Sequence, residues 1–240
     1  MAVKPLNERQ LFRMKRENLE KRINQYYAET HDSEAVLEYG MAVLVRNAIV
    51  MEDYSFICKD LIREIFLTGE PSKKMQDYCL YFYDYFDYSD WEVVRKRLFK
   101  HKAEFSELTR PIRALTKLVR AAAAPTFDTV DDILTMITKN DTEERKANAF
   151  ANKDRYTFLY KSFFEDANGK KHNLTFRHAD ISKSDEEFYS LLEILTKLTI
   201  FEKDGTRRFT EIVWDDCQKV TKFLIYSSKL DDKEKSALAE

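Results

Sequence analysis

Three cations spaced four and three residues apart, Arg113, Lys117 and Arg120, stand on one face of the helix that Pro111 opens, opposite Ile112, Leu115 and Val119. A row of this kind suits the phosphate backbone of a nucleic acid, which attracts Lys and Arg whatever its base sequence. Arg95, Lys96, Arg97, Lys100 and Lys102 on the preceding segment widen the row. A second set lies further on, with Arg145, Lys146, Asn148 and Asn152 on one predicted helix and Lys170 and Lys171 at the tip of a predicted hairpin. Helices over 112–123, 131–139 and 143–151, followed at once by a hairpin over 156–177, have the order of a winged helix. In that arrangement the third helix enters the major groove, where Arg and Asn make paired contacts to guanine and adenine. The connection Asn140-Asp141 lacks the glycine usual in a tight helix-turn-helix.

Other residues invite other chemistry. Residues 78–91 carry eight aromatics among three acids. Phe82 and Phe86, with Met75 and Tyr78, read as the core face of a helix, while Tyr81, Tyr85, Tyr88 and Trp91 would meet a protein partner if they are exposed together. His31-Asp32 has no earlier histidine to complete a metal-dependent phosphohydrolase site, and His172 with His178 lacks the spacing of a zinc hydrolase. Carboxylates bunch at Asp128, Asp131, Asp132 and at Glu211, Asp215, Asp216, which would suit Mg2+ and phosphodiester cleavage. Helix caps and first-turn acids account for Asp131, Asp132, Asp215 and Asp216 without a metal. No catalytic residue, metal or cofactor is therefore assigned.

The elements that must position these residues follow from pattern. Of 240 residues only four are glycine, Gly40, Gly69, Gly169 and Gly205, and no two share a loop. That excludes a P-loop, a dinucleotide fingerprint and a Gly-x-Ser-x-Gly elbow. Cys58, Cys79 and Cys217 are too scattered for a disulfide framework or zinc ribbon, and read as buried free thiols. No long apolar run or apolar N-terminal segment is present in the sequence, so a cytoplasmic protein with no membrane contact is expected. The net charge of -2 hides blocks: residues 1–22 hold seven cations against three acids, 23–94 five against fourteen, 95–125 nine against two. Such blocks either pair within the fold or meet separate partners.

Spacing predicts a helix from Asn7 to about Tyr27 with Asn7 and Gln10 as its cap, an all-round apolar helix over 33–51, and a third that Gly69 and Pro71 stop. A basic helix covers about 91–105, and the one after Pro111 runs through Ala121–Ala124 to a stop at Pro125. Thr129 and Asp132 form the cap of a helix carrying Ile133, Leu134 and Ile137, and Thr142 caps a shorter one through Phe150. From Asp154 the period changes to alternation, with Asn168-Gly169 as a hairpin turn. Ser184 and Glu187 form a capping box before Phe188, Leu191, Leu192, Leu195 and Leu198. Asp204-Gly205 joins a second hairpin over 199–213. A last helix is expected from about Asp215, with Val220, Phe223 and Leu224 facing inward.

The chain thus reads as mainly α with a C-terminal α+β portion: a helical bundle over 1–140, a hairpin-helix-hairpin-helix domain over 154–229, and a polar tail over 230–240. Binding is expected rather than catalysis. The leading expectation is a nucleic-acid-associated accessory or regulatory factor, contacting DNA or RNA through Arg95–Lys100, Arg113, Lys117 and Arg120, with Arg145, Lys146, Lys170 and Lys171 assisting. The competing expectation is a protein adaptor, inhibitor or assembly subunit, and a metal-dependent nuclease is third. The sequence leaves the oligomeric state open.

Overall fold

The computed structural model describes residues 3–119 and 129–224. The capping box forms as spaced: Asn7 Oδ1 accepts from Gln10 N and Gln10 Oε1 from Asn7 N, both at 3.0 Å. The expected single helix is nevertheless two, α1 (Glu8–Arg13) and α2 (Arg16–Thr30). The buried Arg46 guanidinium accounts for the break, because Nη1 donates to Leu11 O at 2.9 Å and Met14 O at 2.8 Å, and Tyr54 Oη donates to Met14 O as well. Carbonyls bound from the side in this way end α1 without water.

Asp32 caps α3 (Ser33–Ile49), whose residues from Val36 to Ile49 are all buried. Helices α1, α2, α4 (Lys59–Thr68) and α5 (Lys73–Tyr78) pack around it, so α3 is the central helix that its apolar circumference requires. At Gly40 an ideal Cβ would stand 2.9 Å from Phe82 Cζ and 3.0 Å from Ile62 Cδ1, so the close neighbours there are side chains rather than another backbone. Residues 78–91 do not form the expected continuous helix. Turns and a 3-10 segment, Tyr83–Tyr85, lead to α6 (Tyr88–Leu98), which Asp87 caps. Phe82 and Tyr85 are both fully buried, edge to face at 5.2 Å, and Phe66 takes Phe82 and Phe86 at 5.8 and 5.4 Å. Putting three of these rings into one core site overrides the helical period.

After α7 (Lys102–Thr109) and α8 (Arg113–Leu118), the residues 120–128 lie outside the described set, and with them Arg120, the Ala121–Ala124 run and Asp128. Helix α9 (Thr129–Ile137) packs on α10 (Glu143–Ala151), whose N-terminus Thr142 caps. Strand β1 (Tyr156–Glu165) pairs antiparallel with β2 (Lys171–Arg177) in a register running from Leu159 opposite Arg177 to Glu165 opposite Lys171. The turn uses Asp166 Oδ1 to accept from Asn168 N and Lys170 N, and places Gly169 at φ 76°. Helix α11 (Asp185–Lys197) carries its capping box and packs between α3 and the sheet, with Phe188 stacked on Tyr160 at 3.8 Å.

The second hairpin is short, β3 (Glu202–Lys203) and β4 (Thr206–Arg207), with Asp204 and Gly205 at φ 53° and 75°. Residues 211 and 212 instead form β5 (Glu211–Ile212), which joins β1. The helix expected from Asp215 is absent. A 3-10 turn, Trp214–Asp216, leads into β6 (Gln218–Phe223), antiparallel to β1 from Lys161 opposite Gln218 to Tyr156 opposite Phe223. Strand β5 covers only Phe164 and Glu165 on that edge of β1, so without β6 the peptide groups that alternate residues of 156–161 direct to that edge would have no ladder partner. Phe223 and Leu224 are correspondingly exposed rather than inward. The architecture is mainly α with a C-terminal α+β portion.

One hydrophobic cluster extends from Leu6 and the α3 residues to Leu195, Phe201 and Phe209, and Phe12 meets Phe176 and Phe201 at 5.4 and 5.9 Å. At its margin the fully buried Glu38 carboxylate accepts from Thr199 N at 2.6 Å, Ile200 N at 2.8 Å and the Thr199 hydroxyl, and pairs with Lys74 Nζ at 2.9 Å. Among the described residues no helix is long and apolar enough to cross a membrane.

Two substitutions test this packing by chemical denaturation. Glu38→Ala leaves two buried backbone N–H groups without their acceptor and takes the nearer carboxylate from Lys74, and is expected to cost about 3 kcal/mol. Gly40→Ala gains helix propensity but drives a methyl into Phe82 and Ile62, for a net loss of about 1 to 2 kcal/mol. An unchanged midpoint for either variant contradicts the assigned contacts.

Candidate nucleic-acid interface

The fold divides the cations that sequence places in one row. Arg97 is used inside: its guanidinium donates to Phe66 O and Gly69 O, both at 2.6 Å, and so ends α4. Arg95 donates from Nη2 to both oxygens of Glu92, at 2.8 and 2.9 Å, and remains about one quarter exposed. Lys96 and Lys100 are exposed, as are Lys102, Arg110, Arg113 and Lys117, and among the described residues none of these six has a carboxylate partner. Two acids of the preceding block are spent elsewhere. Asp90 binds Arg63 through both oxygens, which lifts the Arg63 guanidinium further above its ordinary range, and Asp87 caps α6.

The end of α6 and the start of α7 flank an open concavity of about 160 Å³ lined by Arg95, Lys96, Phe99, Lys100, His101 and Lys102. Phe99 is its apolar floor, packed edge to face on Phe105 at 5.2 Å. His101 occupies the N-cap of α7 and makes no side-chain cap bond. Glu104 turns back toward the start of α7, where its Oε2 accepts from Lys100 N at 2.7 Å. Arg110 and Arg113 flank the short connection at the other end of α7, about 12 Å along an eight-residue helix.

The second set is differently disposed. Helix α8 packs on α11 while α9 packs on α10, so the trihelical grouping of a winged helix is divided. Lys146 pairs with Glu143 at 2.8 Å, Arg145 is exposed beside Asp141 at 4.0 Å, and the Asn152 amide donates to the Asn148 carbonyl groups of side chain and backbone. At the hairpin, Lys171 is held by Asp216 at 2.6 Å, a bond that raises its ammonium above the usual lysine value, and Lys170 is exposed. The partner-facing aromatics also separate. Tyr81 and Tyr85 are core, 6% and 1% exposed, and Trp91 packs on Tyr83 and Phe105. Only Tyr88 of the four projects fully, at 82%.

His172, Asp166 and Asp131 are committed to structure. His172 Nε2 meets Asp166 Oδ2 at 2.8 Å, and Arg208 donates to Nδ1 at 3.2 Å while clasping Glu8. A guanidinium only donates, so Nδ1 accepts and the ring proton sits on Nε2, leaving neither nitrogen to a substrate. The His172 bond holds the Asp166 carboxyl below the usual range. Asp131 pairs with Lys153, and no group of three or more His, Cys, Asp or Glu side chains among the described residues could hold a metal ion. Burial pushes the Cys58 and Cys79 thiols up to about 12.

Sequence reasoning missed His101 and Arg110 in the surviving basic cluster. The run Lys100-His101-Lys102 was the available signal for the first, and Arg110-Pro111, placing a cation at a helix junction, for the second. Because Arg97 works as a cap for α4, Arg97→Ala is expected to lower stability by about 1 to 2 kcal/mol, whereas Lys96→Ala, at an exposed position on the same helix, changes it by under about 0.5. Equal denaturation midpoints for the two variants contradict that division.

No protein-family model, no curated protein and no solved structure matches this chain.

Proposed function

We propose that the protein is a non-catalytic, nucleic-acid-associated accessory factor that holds phosphate groups with the free cations flanking α7. The observation that carries this reading is the division of charge: Lys96, Lys100, Lys102, Arg110, Arg113 and Lys117 are exposed and without acidic partners among the described residues. The cations of α10 and the hairpin tip support it less, since Lys146 and Lys171 already have carboxylates. A cation bound to a carboxylate has little attraction left for phosphate, whereas a free one gains by releasing the counterions condensed on a nucleic acid. The reading requires no base contacts, so it implies affinity with little sequence preference. The adaptor alternative has less support, because Tyr81 and Tyr85 are withdrawn into the core.

The test is binding of duplex and single-stranded oligonucleotides across a salt series. The wild type is expected to bind at low salt with a steep fall as salt rises, and the triple substitution Lys96→Gln, Lys100→Gln, Lys102→Gln to flatten the slope of log K against log salt by about 2 to 3. The pair Lys146→Gln, Lys171→Gln should leave that slope within about one half. Absence of wild-type binding at low salt, or a triple variant with unaltered slope, refutes the proposal.

A further inference from the structure

We infer that the outer edge of β6 is a self-association surface, on which a second copy of this chain pairs antiparallel through its own β6 about a two-fold axis at Thr221. The direction of the backbone groups is the first ground for this. Leu224 N donates to Arg155 O at 3.0 Å, which makes Arg155 and Leu224 a hydrogen-bonded pair that extends the β1–β6 ladder. Bonded and non-bonded pairs alternate along an antiparallel ladder, so Lys222, Val220 and Gln218 direct their peptide groups to β1. Phe158, opposite Thr221, fits the same phase, because its carbonyl faces the other way and accepts from Ala179 N, just past β2, at 3.0 Å. The N–H and C=O of Lys219, Thr221 and Phe223 therefore point away from β1, and among the described residues they have no hydrogen-bond partner.

Edges left open in this way are usually blunted by a proline, a bulge or charges standing on the strand. Strand β6 has neither of the first two: it contains no proline, and its register against β1 runs unbroken from Gln218 to Phe223. Its lysine nearest the start is drawn back over the sheet. Lys219 Nζ donates to Lys183 O at 2.6 Å, pairs with Asp185 at 2.8 Å and stands over the Phe188 ring at 5.3 Å. Phe223 and Leu224 meanwhile remain 44% and 50% exposed, so pairing at this edge would cover apolar surface as well as satisfy peptide groups. Strand β2, on the other side of the sheet, offers no such gain, since Leu174 and Phe176 are already buried.

The sequence of β6 also complements itself. With Thr221 opposite Thr221 of the second copy, Lys219 meets Phe223, Val220 meets Lys222 and Gln218 meets Leu224. Every outward N–H and C=O then finds its counterpart in the other copy, and no lysine faces a lysine. Centring the pair on Lys219 or on Lys222 would set like charges directly opposite each other, which destabilises paired strands. In the Thr221 register the side chains add a Thr–Thr pair and the apolar stem of Lys219 laid against Phe223. The contact is a strand edge rather than a broad face, so the association is weak, with a dissociation constant of roughly 10 to 100 µM. No cation flanking α7 takes part, so self-pairing and nucleic-acid binding are separable.

Sedimentation velocity of the full chain over a concentration series, at low and at high salt, compares wild type with Thr221→Pro, Thr221→Lys and Thr221→Asp. Thr221 is exposed and its N–H is not used by β1, so proline removes the bonds between copies and leaves the β1 ladder in place. The expected wild-type result is a reversible monomer–dimer equilibrium, weakened at least about tenfold by Thr221→Pro. Thr221→Lys and Thr221→Asp each place like charges across the axis and should each weaken self-association about threefold or more at low salt. An equimolar mixture of those two variants should associate at least as tightly as wild type. Far-UV circular dichroism checks that the proline variant keeps its strands; if it does not, the two charged variants decide. A wild type that stays monomeric to about 1 mM overturns the inference. So does a dimer that the Thr221 variants leave unaltered, or charged variants that associate no better mixed than alone. Slow hydrogen exchange of the Lys219, Thr221 and Phe223 amides in the monomer would show that the edge is already covered within one chain, and overturns it equally.

Discussion

A carboxylate buried at the margin of the core is the constraint on which the arrangement of elements depends. Glu38 lies on the central helix and has no exposure, yet its oxygens accept from Thr199 N, Ile200 N and the Thr199 hydroxyl and pair with Lys74. An isolated carboxylate in an apolar interior is costly, so the chain must deliver donors to that point. The backbone donors, Thr199 and Ile200, are about 160 residues away in sequence, where the chain emerges from α11. Helix α11 is thereby fixed lengthwise against α3, and the sheet that α11 carries is fixed with it.

Arg46, two turns further along the same helix, does the corresponding work at the other end. It is buried, stacked at 3.6 Å on Tyr54, and bound to the carbonyls of Leu11 and Met14. Burial lowers the pKa of its guanidinium, against the opposing influence of Tyr54 and Glu52. Hydrophobic contact alone would let α1 and α11 slide over α3, because apolar surfaces attract without direction. Directed bonds at two points remove that freedom. The same principle sorts the surface: ions the fold needs, such as Arg63 with Asp90 or Arg208 with Glu8, are held at short distances, and the ions around α7 are left without partners among the described residues.

What sequence could reveal was whatever is decided locally. The caps at Asn7, Thr142 and Ser184 and the turns at Gly169 and Gly205 depend on residues within five positions, and they are where spacing puts them. The all-round apolar pattern of α3 likewise announced a central helix. Strand β6 was misread because Val220, Phe223 and Leu224 fit a helical face as well as a strand, and the deciding fact is the open edge of β1, some sixty residues earlier. Arg97 looked equivalent to Lys96 for a similar reason: nothing near it in sequence indicates that the carbonyls of Phe66 and Gly69 will come within 2.6 Å. The basic block was therefore legible as a composition, while its division into structural and free charges was not.

That division is the central claim, and hydrogen–deuterium exchange with and without a single-stranded oligonucleotide at low salt tests it most directly. Slowed exchange in the peptides covering residues 95–105, with residues 143–153 and 166–171 unchanged, is the predicted result. Protection at α10 and the hairpin tip with none around α7, or no protection anywhere, would contradict the account.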